Sequence, residues 1–290
     1  MSINYDKENN DINAFQQDGY LLVKNFFKQN DCIDASNWLK KQDHSKLAKS
    51  WTEKEPAVEL AVYSVIHEGD TPISKIATNQ TMLDYASKLM GSETYIWASK
   101  VNVKAAWCGT AEYYHQDLVY WKDRGYPKNE MLSAMIFLEP HNINNAALHV
   151  IPGTHKLGFI EHEPFINING LSKYMIPPKT LTKLESSYGL KVIEAEIGDV
   201  LFFHTSLIHG SSHNISPKGR MIILSQLNTV GNEPKAVNQN ARLFNLSRAK
   251  SEMKEAERKY NWFKDKYEKQ LNSEKLTFSA PIPKEEKTDQ

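Results

Sequence analysis

Cysteine is almost absent from this chain: Cys32 and Cys108 stand far apart, in no metal-binding or redox spacing. That excludes a disulfide framework and fits a reducing compartment. No apolar run reaches the length of about eighteen residues that a membrane span needs. The opening MSINYDKENN lacks the basic start and apolar core of a secretory leader, so a cytoplasmic protein is expected. Excess charge of one sign is missing too, since 35 basic residues balance 35 acidic ones. With no global field, neither nucleic acid nor an anionic membrane is an expected partner. Phosphate loops, a dinucleotide-binding glycine pattern and a nucleophile elbow are also lacking, which removes the commonest nucleotide and acyl-transfer chemistries.

What is present is an ordinary globular composition, 40% hydrophobic and 24% charged over 290 residues, enough for one sizeable core. A short helix in AFQQDG, stopped by Gly19, leads into a brief strand in YLLVKNFF. Asn30 and Asp31 are candidate N-caps for the next helix, and another spans about Thr81 to Met90, ending at Gly91. From Thr94 the pattern changes to short β-rich runs: TYIWASKVNVKAAW, LSAMIFLE, AALHVIP, KVIEAEI, DVLFFH, SLIHGSS and MIILSQLN. Each is bounded by Gly, Pro, Asn or Asp. The expected class is mainly β with flanking helices, a sandwich or jelly roll with the early helices on one outer face. The expected organisation is one domain over residues 1–240, an amphipathic helix over 241–275 and a tail over 276–290. In that helix Leu246, Ala249, Met253, Ala256, Tyr260, Phe263 and Tyr267 form one apolar stripe, read either as docked on the domain or as a homodimer interface.

The strongest chemical signal is EYYHQDLVYW. In an extended segment residues two apart project to one side, so His115 and Asp117 can grip one cation. His-x-Asp alone is common by chance. A third ligand comes from EIGDVLFFHTSLIHGSSHN, where a turn at Gly198–Asp199 leads through one strand to a second that carries His209. Two histidines and a carboxylate on one face of an octahedron form the facial triad of non-haem iron(II) oxygenases. Arg220 opens RMIILSQLN and alternates onto one face with Ile222 and Leu224. An inward arginine needs an anionic partner, and a distal carboxylate gripped by two prongs supplies one.

These segments carry a resemblance. FQQDGYLLVKNFF, NNAALHVIPGTHKLG and GDVLFFH…HGSSHN…R resemble the opening, the Asn-Gly-x-Leu-x-x-x-Pro-Gly-Ser-His segment and the distal motif of the phytanoyl-CoA dioxygenase family. The similarity runs from about Asp11 to Asn228. It implies a double-stranded β-helix, Fe(II), 2-oxoglutarate as cosubstrate and O2, with ascorbate as a supporting reductant in vitro. By the same resemblance His115, Asp117 and His209 are metal ligands and Arg220 holds 2-oxoglutarate. Asn102, Trp121 and Ser211 match positions that line the cosubstrate pocket in ectoine-hydroxylating members. The alternation of KVNVK supports Asn102, placing it on one face with Lys100 and Lys104. Two departures stand out. The family's Asn-Gly is Asn145-Ala146-Ala147 here, and the residues expected to bind ectoine are not evident near Ile96 and Ala98.

The implied reaction is hydroxylation of an aliphatic carbon of a small-molecule or acyl metabolite, with 2-oxoglutarate converted to succinate and CO2. Tyr113, Tyr114, Tyr120, Trp121 and Tyr174 are candidates for the substrate rim, and Lys100, Lys104 and Arg124 for an anionic group on the substrate. Three rivals are set against it. A halogenase of this fold leaves the carboxylate position as Ala or Gly, and Asp117 argues against that. A metal-dependent hydrolase shares the ligand types but has no use for Arg220. A non-catalytic β-helix binding protein would be expected to lose a triad member. His204 and His213 are candidates for hydrogen bonds behind the ligands. His141, His149, His155 and His162 are read as structural, and His155 as part of the Pro-Gly-x-His turn.

Overall fold

The computed structural model describes residues 5–41, 51–52, 60–64, 66–107, 109–122, 126–166 and 172–233. The expected C-terminal helix and tail, Cys108 and Arg124 lie outside the described residues.

Helices come first: α1 Tyr5–Asp18, α2 Gln29–Lys40, α3 Pro72–Ala77 and α4 Gln80–Met90, with α5 Pro178–Tyr188 later. The early strands are β1 Tyr20–Val23, β2 Trp51–Thr52, β3 Leu60–Ser64, β4 Thr94–Lys104 and β5 Glu112–His115. Next come β6 Met131–Phe137, β7 Leu148–Ile151, β8 Glu163–Ile166 and β9 Ser172–Met175. The last are β10 Lys191–Ile193, β11 Val200–His204, β12 Ile208–Ser211 and β13 Arg220–Thr229. A seven-stranded sheet runs β1-β11-β6-β13-β4-β3-β2 and faces a four-stranded sheet, β10-β7-β12-β5; β8 and β9 make a separate hairpin. All pairings are antiparallel. This is the expected double-stranded β-helix.

The central strands β6 and β13 of the large sheet are buried on both faces, which is why β6 reads as a nearly unbroken apolar run and β13 carries one at Met221–Leu224. Toward the helices, Leu132, Ala134, Ile136, Phe202, Met221 and Ile223 pack on Phe15, Leu39, Ile73, Met82 and Leu89. Toward the small sheet, Met135, Phe137, Leu201, Phe203, Ile222 and Leu224 meet Leu148, Val150 and Ile193. The alternation that puts Ile222 and Leu224 in this inner layer carries Arg220 with them. Register extends the inward face to the neighbouring strand, because Arg220, Ile222 and Leu224 pair with Lys104, Asn102 and Lys100.

Local differences have physical reasons. Helix α2 starts at Gln29 behind Lys28, with no side-chain cap, so Asn30 and Asp31 are not its caps; Asp31 instead lies in the first turn, where it meets the helix dipole favourably. Helix α4 begins at Gln80 and ends at a left-handed Gly91 as expected, capped by Asn79, whose Oδ1 accepts from Met82 N at 3.1 Å. Gly198 has φ +90, and a Cβ there would lie 2.5 Å from the Phe27 carbonyl oxygen, so the turn into β11 needs glycine. Ala146 takes the left-handed conformation (φ 66) where the family pattern has glycine. Alanine costs about 1–2 kcal/mol there. Its fully buried methyl returns about 0.8 kcal/mol, which offsets part of that strain.

Candidate metal centre and anion cradle

His115 ends β5 and His209 lies on β12, and the two pair directly across the small sheet with ring centroids 4.5 Å apart. Asp117 does not continue the strand. It begins a tight helical turn, Asp117–Tyr120, which swings its carboxylate back between the two imidazoles. The extended geometry expected for His-x-Asp is therefore replaced by strand and turn, with the same convergence. Asp117 Oδ1 stands 3.5 Å from His115 Nε2 and 3.6 Å from His209 Nε2. All three residues are buried, and their ligand atoms lie within 4.8 Å of one another.

The hydrogen bonds behind these atoms prepare them for a cation. His115 Nδ1 faces the Tyr113 carbonyl at 2.7 Å and His209 Nδ1 the Leu207 carbonyl at 2.9 Å. A carbonyl oxygen only accepts, so each Nδ1 carries a proton and each ring turns its Nε2 toward Asp117. Ser133 Oγ, on β6, donates to Asp117 Oδ2 at 3.2 Å. Burial pushes the Asp117 carboxyl up, but His209 and His115 outweigh it and hold the group well below the usual carboxylate range. Burial, with His115 adding to it, brings His209 down to about 4, which keeps its ring neutral at pH 7. Two imidazoles and one carboxylate are the donor set that a divalent cation with open coordination positions requires.

Gln116, between two of the ligands, is fully buried. Its Nε2 donates to Gly158 O at 2.8 Å and Ser206 O at 2.7 Å, and its Oε1 accepts from Ile160 N at 2.8 Å. Its backbone N–H donates to His162 Nε2 at 3.0 Å, and His162 is tied in turn to Ile160 O at 2.6 Å. The segment is thereby fastened to the turn before β12. His204 and His213 do not take that part. His204 lies beside His155, ring centroids 5.6 Å apart, and His213 is exposed. Gln116→Ala would strand one buried and two part-buried backbone partners, so a loss of about 1–3 kcal/mol in urea denaturation is expected. Weakening of metal retention by about 10–100-fold, read by chelator competition, should accompany it.

A second polar cluster begins two residues beyond His209. Ser211 Oγ accepts from Lys104 Nζ at 2.9 Å and lies 3.4 Å from Arg220 Nη2, while Lys104 Nζ also donates to Ser212 O at 2.8 Å. Lys104 and Arg220 are 3% and 7% exposed, so two cations share a buried pocket rather than a rim. Burial lowers Arg220 to about 10, which leaves it charged. Arg220 Nε and Asn102 Oδ1 are buried with no hydrogen-bond partner, and both belong to the inward face. Paired buried cations with an unused donor fit an anion.

Trp121 belongs to a buried cluster with Trp97 and Met131. It packs edge-on against Trp97, ring centroids 4.1 Å apart, behind Tyr120. Tyr120 in turn stands 5.9 Å from the His115 ring and 5.5 Å from Tyr174, forming the wall beside the triad. Tyr114 turns away from the wall and bonds His149 Nδ1 at 2.8 Å, while Tyr113 stays exposed. The β8–β9 hairpin closes this side, tied to β5 by Lys173 and Glu112 at 3.1 Å. Tyr174 is where the sequence reading expected it, at the rim, but the short, polar EHEPFI and SKYM segments do not announce the hairpin that carries it.

The chain matches the family described as Phytanoyl-CoA dioxygenase (PhyH) over residues 15–222. It is 28% identical over 236 residues to an ectoine dioxygenase of Stutzerimonas stutzeri (strain A1501), covering 78% of each chain. It is also 28% identical over 179 residues to an L-proline trans-4-hydroxylase of Streptomyces griseoviridis, covering 58% of this chain and 67% of that one. Among solved structures, EctD from S. alaskensis with bound Fe superposes with a TM-score of 0.64 at 26% identity, covering 77% of each chain. The same enzyme with 2-oxoglutarate and 5-hydroxyectoine gives a TM-score of 0.62 at 25% identity, again over 77% of each. The matched span contains all three converging ligands and Arg220, and the chain belongs to the phytanoyl-CoA dioxygenase family.

Proposed function

We propose that this protein is an Fe(II)/2-oxoglutarate-dependent dioxygenase that hydroxylates an aliphatic carbon of a small-molecule or acyl metabolite. The observation that carries the proposal is the pairing of two buried sites on neighbouring positions of β12. His209 belongs to the metal-competent triad and Ser211 to the cationic cradle. Two residues of strand span roughly 6–7 Å, about the length of 2-oxoglutarate. His115, Asp117 and His209 would hold the iron, and Arg220 with Lys104 and Ser211 would receive the cosubstrate's distal carboxylate. Asn102 offers a free carbonyl on the same face. When bound, iron and 2-oxoglutarate supply the oxidising power, with O2 consumed and succinate and CO2 released.

The chain's own contribution is placement and exclusion of water. Burial of the triad keeps bulk solvent off the open positions. Tyr120 and Tyr174 form an aromatic wall against which a substrate carbon can be set. Burial pushes the Tyr120 hydroxyl up to about 12, so it stays protonated and can donate to a polar substrate group. The inward Lys100 suits an anionic one. Ile96 and Ala98 belong to apolar clusters, consistent with a substrate other than ectoine.

Succinate formation by the purified protein with Fe(II), ascorbate, O2 and 2-oxoglutarate tests the reading. Slow turnover without added substrate is expected. An inert protein that also shows no 2-oxoglutarate-dependent charge-transfer absorbance with anaerobic Fe(II) would overturn it.

A further inference from the structure

Arg220 is braced from behind by a histidine outside the metal centre. His141 is 2% exposed and lies in the loop after β6. Its Nδ1 faces the Glu139 carbonyl at 2.8 Å, and its Nε2 lies 3.1 Å from Arg220 Nη1. Since the carbonyl only accepts, the proton is on Nδ1 and Nε2 accepts from the guanidinium. A second ring proton would point at an N–H of a cation, so the neutral form is the one this contact can hold.

The mount is rigid on every side. His141 N donates to Ala195 O at 2.8 Å and Ala195 N returns a bond to His141 O at 2.9 Å, a bridge between the loop and the segment after β10. The Phe137 ring packs edge-on against the imidazole, centroids 4.8 Å apart. Downstream, Asn142 N donates to Asn145 Oδ1 at 2.8 Å, and Asn145 Nδ2 donates to Pro140 O at 2.7 Å. Arg220 thus has Nη1 on His141 and Nη2 near Ser211, leaving Nε buried without a partner. A guanidinium fixed through its two outer nitrogens cannot rotate, so its remaining donors keep one direction.

We infer that His141 is a positioning residue, which orients Arg220 so that its unused donors meet the distal carboxylate of a 2-oxo diacid. The inference rests on the assignment of Arg220 to that carboxylate. His141 itself touches neither metal nor cosubstrate in this arrangement. Its effect therefore falls on cosubstrates that have a distal carboxylate and spares those without one.

The test is anaerobic titration of the iron(II)-loaded protein, followed by charge-transfer absorbance and tryptophan fluorescence. Two ligands serve as probes: 2-oxoglutarate, and pyruvate, which has the chelating end alone. His141→Phe keeps a flat ring but no acceptor, and is expected to weaken 2-oxoglutarate at least tenfold while changing pyruvate less than twofold. His141→Gln reaches the Nε2 position and is expected to stay within threefold of the parent for both ligands. Should the phenylalanine variant fail to fold, His141→Asn retains a donor for Glu139 but stops short of Arg220, and the same selective loss is expected. Unchanged 2-oxoglutarate affinity in a folded, iron-loaded Phe or Asn variant would overturn the inference. So would parallel loss of both ligands, the mark of general disruption. A parent protein that binds neither 2-oxo acid would instead overturn the proposed function, and this inference with it.

Discussion

Asp117→Ala is expected to abolish succinate formation while lowering the thermal midpoint of the metal-free protein by only a few degrees. The carboxylate is buried, with Ser133 at 3.2 Å from one oxygen and two imidazole nitrogens facing the other at 3.5 and 3.6 Å. Desolvation of the carboxylate opposes the fold, and the two facing histidines offset it. Removing the carboxylate takes a partner from two imidazoles and one serine hydroxyl but relieves a buried charge, so the thermal midpoint of the metal-free form should fall by only a few degrees. Iron binding loses one of three protein ligands. Changes to groups behind a ligand cost about 10–100-fold in affinity, and loss of a ligand itself should exceed that range. A metal present at about a hundred times its dissociation constant stabilises by about 2.7 kcal/mol. That corresponds to roughly 5–10 °C for a domain of this size. The parent should show that rise on adding Fe(II) or Mn(II) without oxygen, and Asp117→Ala should show almost none. A variant that keeps the rise would remove Asp117 from the ligand set.

The frame of the fold was legible because its central strands are buried on both faces. In β13 every residue is buried, an apolar run fills Met221–Leu224, and uncharged polar residues interrupt the rest. Its one strongly charged residue, Arg220, then stands out against that background. The weaker elements were hidden for the opposite reason. Helix α5 buries no residue, opens with Pro177 and Pro178, and rests only half-buried Leu181 and Leu184 on Ile151, Ile176 and Ile208. The β8–β9 hairpin is short and polar, and it is held by Lys173 on Glu112 and by the Tyr174–Tyr120 contact rather than by an apolar row of its own. The triad was visible from residue type and spacing, yet the local geometry behind it was not. Asp117 reaches His115 through a turn, and a two-residue spacing reads the same whether the chain extends or folds back. Gln116 and His141 were invisible as contributors, since their partners lie far along the chain: Ser206 for one and Arg220 for the other. Ser211 was visible by resemblance alone. Lys104 was read as facing substrate, and only the pairing of β4 with β13 sets it beside Arg220.

Arg220→Met should separate the cosubstrate cradle from the metal centre. Methionine fills much of the same buried volume without the charge, so the apolar inner layer of Ile222 and Leu224 can close around it. The variant orphans His141 Nε2 and takes a donor from Ser211, which retains Lys104 at 2.9 Å. One unsatisfied buried acceptor costs about 1–3 kcal/mol, and relief of a buried cation offsets part of that, so the protein should fold. Its iron affinity should stay within a few-fold of the parent, because Arg220 touches none of the three ligands. Binding of 2-oxoglutarate should fall far more. Truncating one partner of a buried, hydrogen-bonded charge pair costs about 2–5 kcal/mol, or roughly 30- to several-thousand-fold in affinity. Lys104 remains in the pocket and should hold the loss toward the lower half of that range. Arg220→Lys should recover little, since a point charge on a flexible stem cannot reproduce a braced fork. The decisive comparison is the ratio of 2-oxoglutarate to pyruvate affinity on the iron(II)-loaded protein. Collapse of that ratio toward one, with iron content unchanged, places the distal carboxylate on Arg220. An unchanged ratio would mean that the anion this pocket was built for is some other molecule, and that the two buried sites on β12 serve different ligands.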